Sequence, residues 1–260
     1  MRGRWKLLIA VAIVIVAAVA SALVMSLRPG SPAPGSPQSG LGPSGKLGFP
    51  VSQLAVGQGG TKTAADGKTP IGYDGSCDSA AQAAANYLPL RADFNAKTWE
   101  TQKKALVQVS LPGPQKDLVM QVNDGNAANK AYQDAGFDGG WLQRFDVKAG
   151  GLYRIVSCEA NKSALVQVFT GSLWAQMTTA PRPAFATQEI ELAWDGDWKY
   201  SNAFQPSDDP TIGRRLKDTG PSLQPEDFTQ TLQVLTAKDV DVLFQGKSRE
   251  GWVEYANATR

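Results

Sequence analysis

The 260 residues carry 26 Lys and Arg against 24 Asp and Glu, a net charge of +2, and 42% apolar residues. This size accommodates one ordinary domain with appendages, and so small and dispersed a charge offers no electrostatic footprint for nucleic acid. Histidine is absent and only two cysteines occur. The commonest general base and the commonest metal ligand are therefore missing together, which argues against an enzyme, a zinc site or a bound cofactor.

The chain begins with Arg2, Arg4 and Lys6, and an uncharged apolar run follows from Leu7 to Leu27. As a helix, that run spans about 31 Å, close to the roughly 30 Å hydrocarbon core of a bilayer. The basic cluster over 1–6 favours retention in the cytoplasm, so the remainder is expected outside the cell membrane. The competing reading is a cleaved signal peptide with small residues at Ala18 and Ala20. Its apolar region is normally only about 7–15 residues long, so an uncleaved single-pass anchor is preferred.

Residues 28–72 are dominated by Pro, Gly and Ser and sustain no apolar period. They are expected to form a disordered spacer that holds a domain off the membrane. Its patch "FPVSQLAV" (Phe49–Val56) is the one stretch able to dock on a surface.

From Tyr73 the pattern changes. "SCDSAAQAAANYL" offers Ser76 or Asp78 as an N-cap and an Ala-rich body, with Ala80, Ala84, Tyr87 and Leu88 at helical spacing. "TWETQKKALVQVS" is a second helical stretch, with Trp99, Leu106 and Val109 near one face, and Pro112-Gly113-Pro114 breaks it. Residues 115–136 read as short helices and turns. Beyond "GFDGGWLQRFDVKAG" the period becomes 2, and strands are expected at 152–158, 164–171, 172–178, 187–194 and 197–203. Helices followed by antiparallel strands predict an α+β domain over 73–204, the helices packed on one face of the sheet.

That element order, ending in the hairpin "ELAWDGDWKY" (191–200), resembles the nuclear transport factor 2-like cone, in which N-terminal helices fill the concave side of a curved antiparallel sheet. With the short basic start, single anchor and spacer, the layout is similar to the bitopic assembly proteins of type IV secretion and conjugation machinery in Gram-positive bacteria. It also resembles actinobacterial membrane proteins of the same plan. The resemblance implies a membrane-anchored extracytoplasmic scaffold or interaction module. Its expected partners are the lipid bilayer through 7–27, other proteins of the cell envelope and further copies of the chain, with no nucleic acid. The alternatives are an envelope domain binding a small ligand and a cone isomerase or dehydratase.

Residues 205–260 are polar and proline-spaced, and are read as an extension that wraps the domain or engages a partner. "PEDFTQTLQVL" (225–235) suggests a short helix there. The fragment "VLFQG" (242–246) resembles part of a viral-protease site, but Lys247 replaces the usual proline, so it is read as native sequence.

Four sets of residues are site candidates. Cys77 and Cys158, in an exported domain, are read as a disulfide closing a loop of about 80 residues, against two separate buried thiols. Asp134, Asp138, Asp195 and Asp197 lack calcium-loop spacing and are read as turn residues. Asp93, Asp117 and Asp124, with Tyr87 and Tyr132, are the acid–base groups a cone enzyme would need, though no spacing singles out a pair. Trp194, Trp198 and Tyr200 form the candidate interaction or core hairpin. A two-residue loop at Asp195-Gly196 pairs Trp194 with Asp197 and puts the tryptophans on opposite faces. A three-residue loop pairs Trp194 with Trp198 and Leu192 with Tyr200, and puts all four on one face.

Overall fold

The computed structural model describes residues 44–91, 99–114, 119, 141–176, 182–202, 205–206 and 234–259. All of them belong to the compact unit that begins at Pro34. The expected membrane span at 7–27 lies outside the described residues, and among these no helix is long and apolar enough to cross a membrane.

The fold is α+β, with helices packed on a curved antiparallel sheet. Helix α1 is Cys77–Tyr87 and is followed by a 3₁₀ turn, Leu88–Arg91; helix α2 is Trp99–Gln108. Ser76 is the N-cap of α1, its hydroxyl accepting from Ser79 N–H at 3.1 Å. The alanines of α1 do more than make a stripe. Ala80, Ala81, Ala83, Ala84 and Ala85 are all fully buried, because small side chains let the helix sink into the core on every side.

A two-stranded hairpin, β1 (Lys62–Thr63) with β2 (Pro70–Ile71), precedes α1. The main sheet contains β3 (Trp141–Asp146), β4 (Leu152–Glu159), β5 (Ser163–Gln176), β6 (Arg182–Trp194), β7 (Trp198–Tyr200), β8 (Gln205–Pro206) and β9 (Trp252–Glu254). The order is β7-β6-β5-β4-β9, with β3 beside the far half of β5 and β8 beside β6. The strands expected at 164–171 and 172–178 are therefore one strand. Gly171-Ser172 is not a turn but the place where β5 changes partner, from β4 (Leu152↔Phe169) to β3 (Asp146↔Gly171). The four-residue helix α3 (Val147–Gly150) joins β3 to β4, its N-cap Asp146 accepting from Ala149 N–H.

Alternate residues divide the sheet into two faces. Tyr153, Val166, Val168, Ile190 and Leu192 face α1 in the main core. Leu152, Phe169, Phe185 and Trp252 point the other way and form a second core with Leu47, Phe49 and residues of helix α4 (Ala237–Leu243). Further along that second face a polar row crosses three strands. Arg154 donates to Gln167 Oε1, and Gln167 Nε2 donates to Glu189 at 3.0 Å, while the Arg154 guanidinium lies 5.1 Å from the Trp252 ring.

The second core corrects three expectations. The sheet has two covered faces, not one. The spacer expected over 28–72 cannot extend past residue 43, because Leu47, Phe49, Ala55 and Ala64 are buried and residues 50–56 bond to the C-terminal strand. The domain likewise does not end at residue 204. β9 pairs with β4 at the end of the main sheet, and Leu243 and Phe244 of "VLFQG" are core residues. Of the helix expected at 225–235 only its last two residues are described, and they are not helical; the observed helix α4 starts later, at a capping box of Thr236 and Asp239.

Candidate functional site

The candidate residues converge on one end of the sheet. Helix α1 starts there, the β4–β5 turn packs against residue 75, and the β6–β7 hairpin closes the main core. Asn161 N–H donates to the Gly75 carbonyl at 2.8 Å, and Trp194 N–H donates to the Lys162 carbonyl at 2.9 Å. Cys77 and Cys158 are bonded here, with Cα atoms 5.9 Å apart.

A β-bulge makes that bond reachable. Tyr153 and Ile155 face α1, so strict alternation would aim Ser157 at the helix and Cys158 away from it. The register slips between Ile155 and Ser157, and Cys158 comes opposite Ala164 on the helix face. Cys158, Ala164, Leu192 and Tyr200 then form one continuous row across four strands.

The hairpin adopts the three-residue loop. Trp194 pairs with Trp198, Ala193 with Lys199 and Leu192 with Tyr200. Gly196 sits in the middle of the loop at φ 69°, and Asp195 N–H donates to the Asp197 carbonyl. The usual glycine at the last loop position is replaced by a side-chain device. The Asp197 carboxylate accepts from Gly72 N–H (2.6 Å), Tyr73 N–H (3.0 Å) and its neighbour Trp198 N–H (2.9 Å). It pins the loop to the strand entering α1. An Asp197→Ala variant strands three amides at once and is expected to lose about 2–3 kcal/mol, with Asp197→Asn losing less. Chemical denaturation of the two variants side by side checks this.

Both tryptophans share the buried face. Trp198 is fully buried, donates from Nε1 to Ser79 Oγ at 2.9 Å, and meets the half-buried Trp194 edge-on at 5.4 Å. Tyr200 is also fully buried, 5.8 Å from the Tyr87 ring, and the Tyr87 hydroxyl donates to the Trp198 carbonyl at 2.9 Å. Tyr73 extends the cluster, its hydroxyl accepting from Asn86 Nδ2. Burial pushes the phenols of Tyr73, Tyr87 and Tyr200 up from their ordinary value, so they are neutral in the physiological range. Burial also pushes the Arg91 guanidinium, at the end of the 3₁₀ turn, down to about 9. At the helix entrance the Ser76 side chain, by hydrogen bonding, holds Asp74 below the usual carboxylate range, whereas burial and then Asp74 raise Asp78.

The acid–base candidates do not assemble into a described site. Asp93, Asp117, Asp124 and Tyr132 lie outside the described residues, as do Asp134 and Asp138, and Tyr87 is engaged by a backbone carbonyl. Asp195 is exposed at the turn. Among the described residues no group of three or more His, Cys, Asp or Glu could hold a metal ion.

The described residues do hold one fully buried carboxylate, which sequence reasoning missed. Glu254 on β9 faces the second core, and its Oε1 accepts from Leu47 N–H at 2.8 Å and Phe49 N–H at 3.4 Å. The signal was a lone charge inside the apolar stretch "WVEYA", in a segment read as an appendage. Comparison with family models, with curated proteins and with solved structures returned no match.

Proposed function

We propose that this chain is a membrane-anchored extracytoplasmic scaffold, an interaction module of a cell-envelope assembly such as a conjugation or secretion apparatus. The observation that carries the reading is the Cys77–Cys158 bond in a domain that follows a 21-residue apolar run with a basic leading flank. Such bonds persist in oxidising compartments and are rare in the cytosol. The bond, the bulge that aims it and the Asp197 clamp all stiffen the end of the sheet that carries the closing hairpin.

On the helix-facing side of the sheet, Tyr87, Trp198, Tyr200, Leu106 and Ile190 are fully buried in the main core. On this reading the mechanism is positional: residues 7–27 localise the protein, the Pro/Gly/Ser-rich segment that follows sets its reach, and the rigid body presents surfaces. The element order supports kinship with the nuclear transport factor 2-like cone.

The test is cross-linking in intact cells, followed by membrane extraction, affinity purification and partner identification. Enrichment of envelope or secretion components is expected. Recovery of none above an untagged control would remove the reading.

A further inference from the structure

The sequence contains Asp-Gly at 66–67, 74–75, 124–125, 138–139 and 195–196, and the first, second and last pairs fall within the described residues. The pair is reactive because glycine has no side chain to shield its amide nitrogen from the preceding carboxyl group. Attack of that nitrogen on the carboxyl carbon closes a five-membered succinimide. The carboxyl hydroxyl and the amide proton leave together as one water. Water then reopens the ring at either carbonyl, restoring aspartate or giving isoaspartate, whose main chain runs through the former side chain. No oxidant, reductant or further reactant enters. How firmly the fold holds the carboxylate and the amide decides between the pairs.

Two of the pairs are held. Asp66 Oδ1 accepts from Lys68 N–H (3.2 Å) and Thr69 N–H (3.0 Å), and its Oδ2 accepts from the Thr69 hydroxyl (2.6 Å). Gly67 N–H donates to the Ala64 carbonyl at 2.9 Å, so both reacting groups are engaged. Asp74 Oδ1 accepts from Ser76 N–H at 3.0 Å. Hydrogen bonding to Ser76 holds the Asp74 carboxyl below the usual range, which depletes the protonated form that reacts. Gly75 is buried, its carbonyl accepts from Asn161 N–H, and a Cβ there would stand 2.1 Å from Asn161 Oδ1. Its backbone is locked in place.

The pair at the tip of the β6–β7 hairpin is held at neither group. Asp195 and Gly196 are both exposed. Among the described residues, neither the Asp195 carboxylate nor the Gly196 amide has a hydrogen-bond partner. Nothing lies within 4 Å of a Cβ placed on Gly196, so the tip stands in open space. The strands beneath it are fixed by the Trp194–Trp198 pairing and by the three amides bonded to Asp197.

From this we infer that Asp195 is a modification site: in the folded protein it converts spontaneously to isoaspartate through a succinimide with Gly196, ahead of Asp66 and Asp74. The product adds one backbone methylene to the loop and leaves a free α-carboxylate at its tip. The covalent change falls on the exposed end of the hairpin, above the buried Trp198 and Tyr200. The inference goes beyond the scaffold reading and holds whether or not residues 7–27 anchor the chain.

The test ages the full-length protein, purified in detergent, in neutral buffer with and without denaturant. Peptides from successive times are mapped, and electron-transfer fragmentation distinguishes isoaspartate from aspartate at each position. The succinimide is read as the loss of one water. In the folded protein, isoaspartate at 195 is expected to form about fivefold faster, or more, than at 66 or 74, the factor that one additional hydrogen bond to break implies. In denaturant the three rates are expected to converge, because each pair then keeps its glycine and loses its fold. A rate at 195 no higher than at 66 or 74 in the folded protein would overturn the proposal. So would a preference for 195 that persists undiminished in denaturant, since neighbouring residues and not the fold would then set it.

Discussion

A Trp198→Ala variant is expected to lose about 3–5 kcal/mol of unfolding free energy, the range for truncating a large aromatic residue in a closed core. The side chain is fully buried, its indole N–H is bonded to Ser79, and Trp194 and Tyr200 pack around it. Its removal leaves a cavity at the junction of α1 and the hairpin and takes from the Ser79 hydroxyl the hydrogen bond it accepts, leaving the one it donates to the Ser76 carbonyl. Trp198→Phe keeps most of the packing and is expected to lose about 1–2 kcal/mol through the missing hydrogen bond and the smaller ring. Trp194→Ala removes a half-buried side chain and is expected to fall below both tryptophan-to-alanine extremes, near 1–2 kcal/mol. Urea unfolding of the three variants ranks them. A larger loss for Trp194→Ala than for Trp198→Ala would mean that the hairpin is paired in the other register.

Opening the Cys77–Cys158 bond is the second large effect. The bond joins residues 81 apart in sequence, and chain-entropy arithmetic for a loop of that length gives about 4.5 kcal/mol at 25 °C. For a body of this size that corresponds to a fall in Tm of roughly 10 °C. A Cys77→Ser, Cys158→Ser double variant should lose at least as much, since it also replaces Cys158, which packs against the main core. Calorimetry with and without reductant, on the protein and on the double variant, measures it. A Tm that does not move on reduction would show that the bond is not formed in the folded protein.

Local physics was legible where the partners are local. The Ser76 cap, the Ala-rich helix and the Asp-Gly turn each follow from residues within a few positions of one another, and each appears where that pattern puts it. The strands run to different limits: two expected strands merge into β5, and β3 (Trp141–Asp146) was not anticipated. The hairpin's register depended on a residue 125 positions away. Asp197 replaces the missing loop glycine by binding Gly72 and Tyr73, and no pattern in 191–200 announces that contact. The pairing of Cys77 with Cys158 could be expected from compartment and count, but the bulge that turns Cys158 toward the helix has no signature in "LYRIVSCE". Domain limits were the least legible feature. Leu47, Phe49, Phe244 and Trp252 are scattered singly through polar, proline-rich sequence, so neither terminal segment shows an apolar period. They meet across some 200 residues to build one core. The fully buried Glu254 belongs to the same class, because its amide donors at Leu47 and Phe49 come from the far end of the body.

On the proposed reading the body is exported and held by an uncleaved anchor, and protease accessibility in intact protoplasts tests that most directly. With tags at both ends of the chain, external protease should destroy the C-terminal tag. It should leave an N-terminally tagged fragment that sediments with membranes and resists carbonate extraction. A C-terminal tag that survives until the protoplasts are permeabilised, or an N-terminal tag lost from an otherwise intact mature chain, would contradict it.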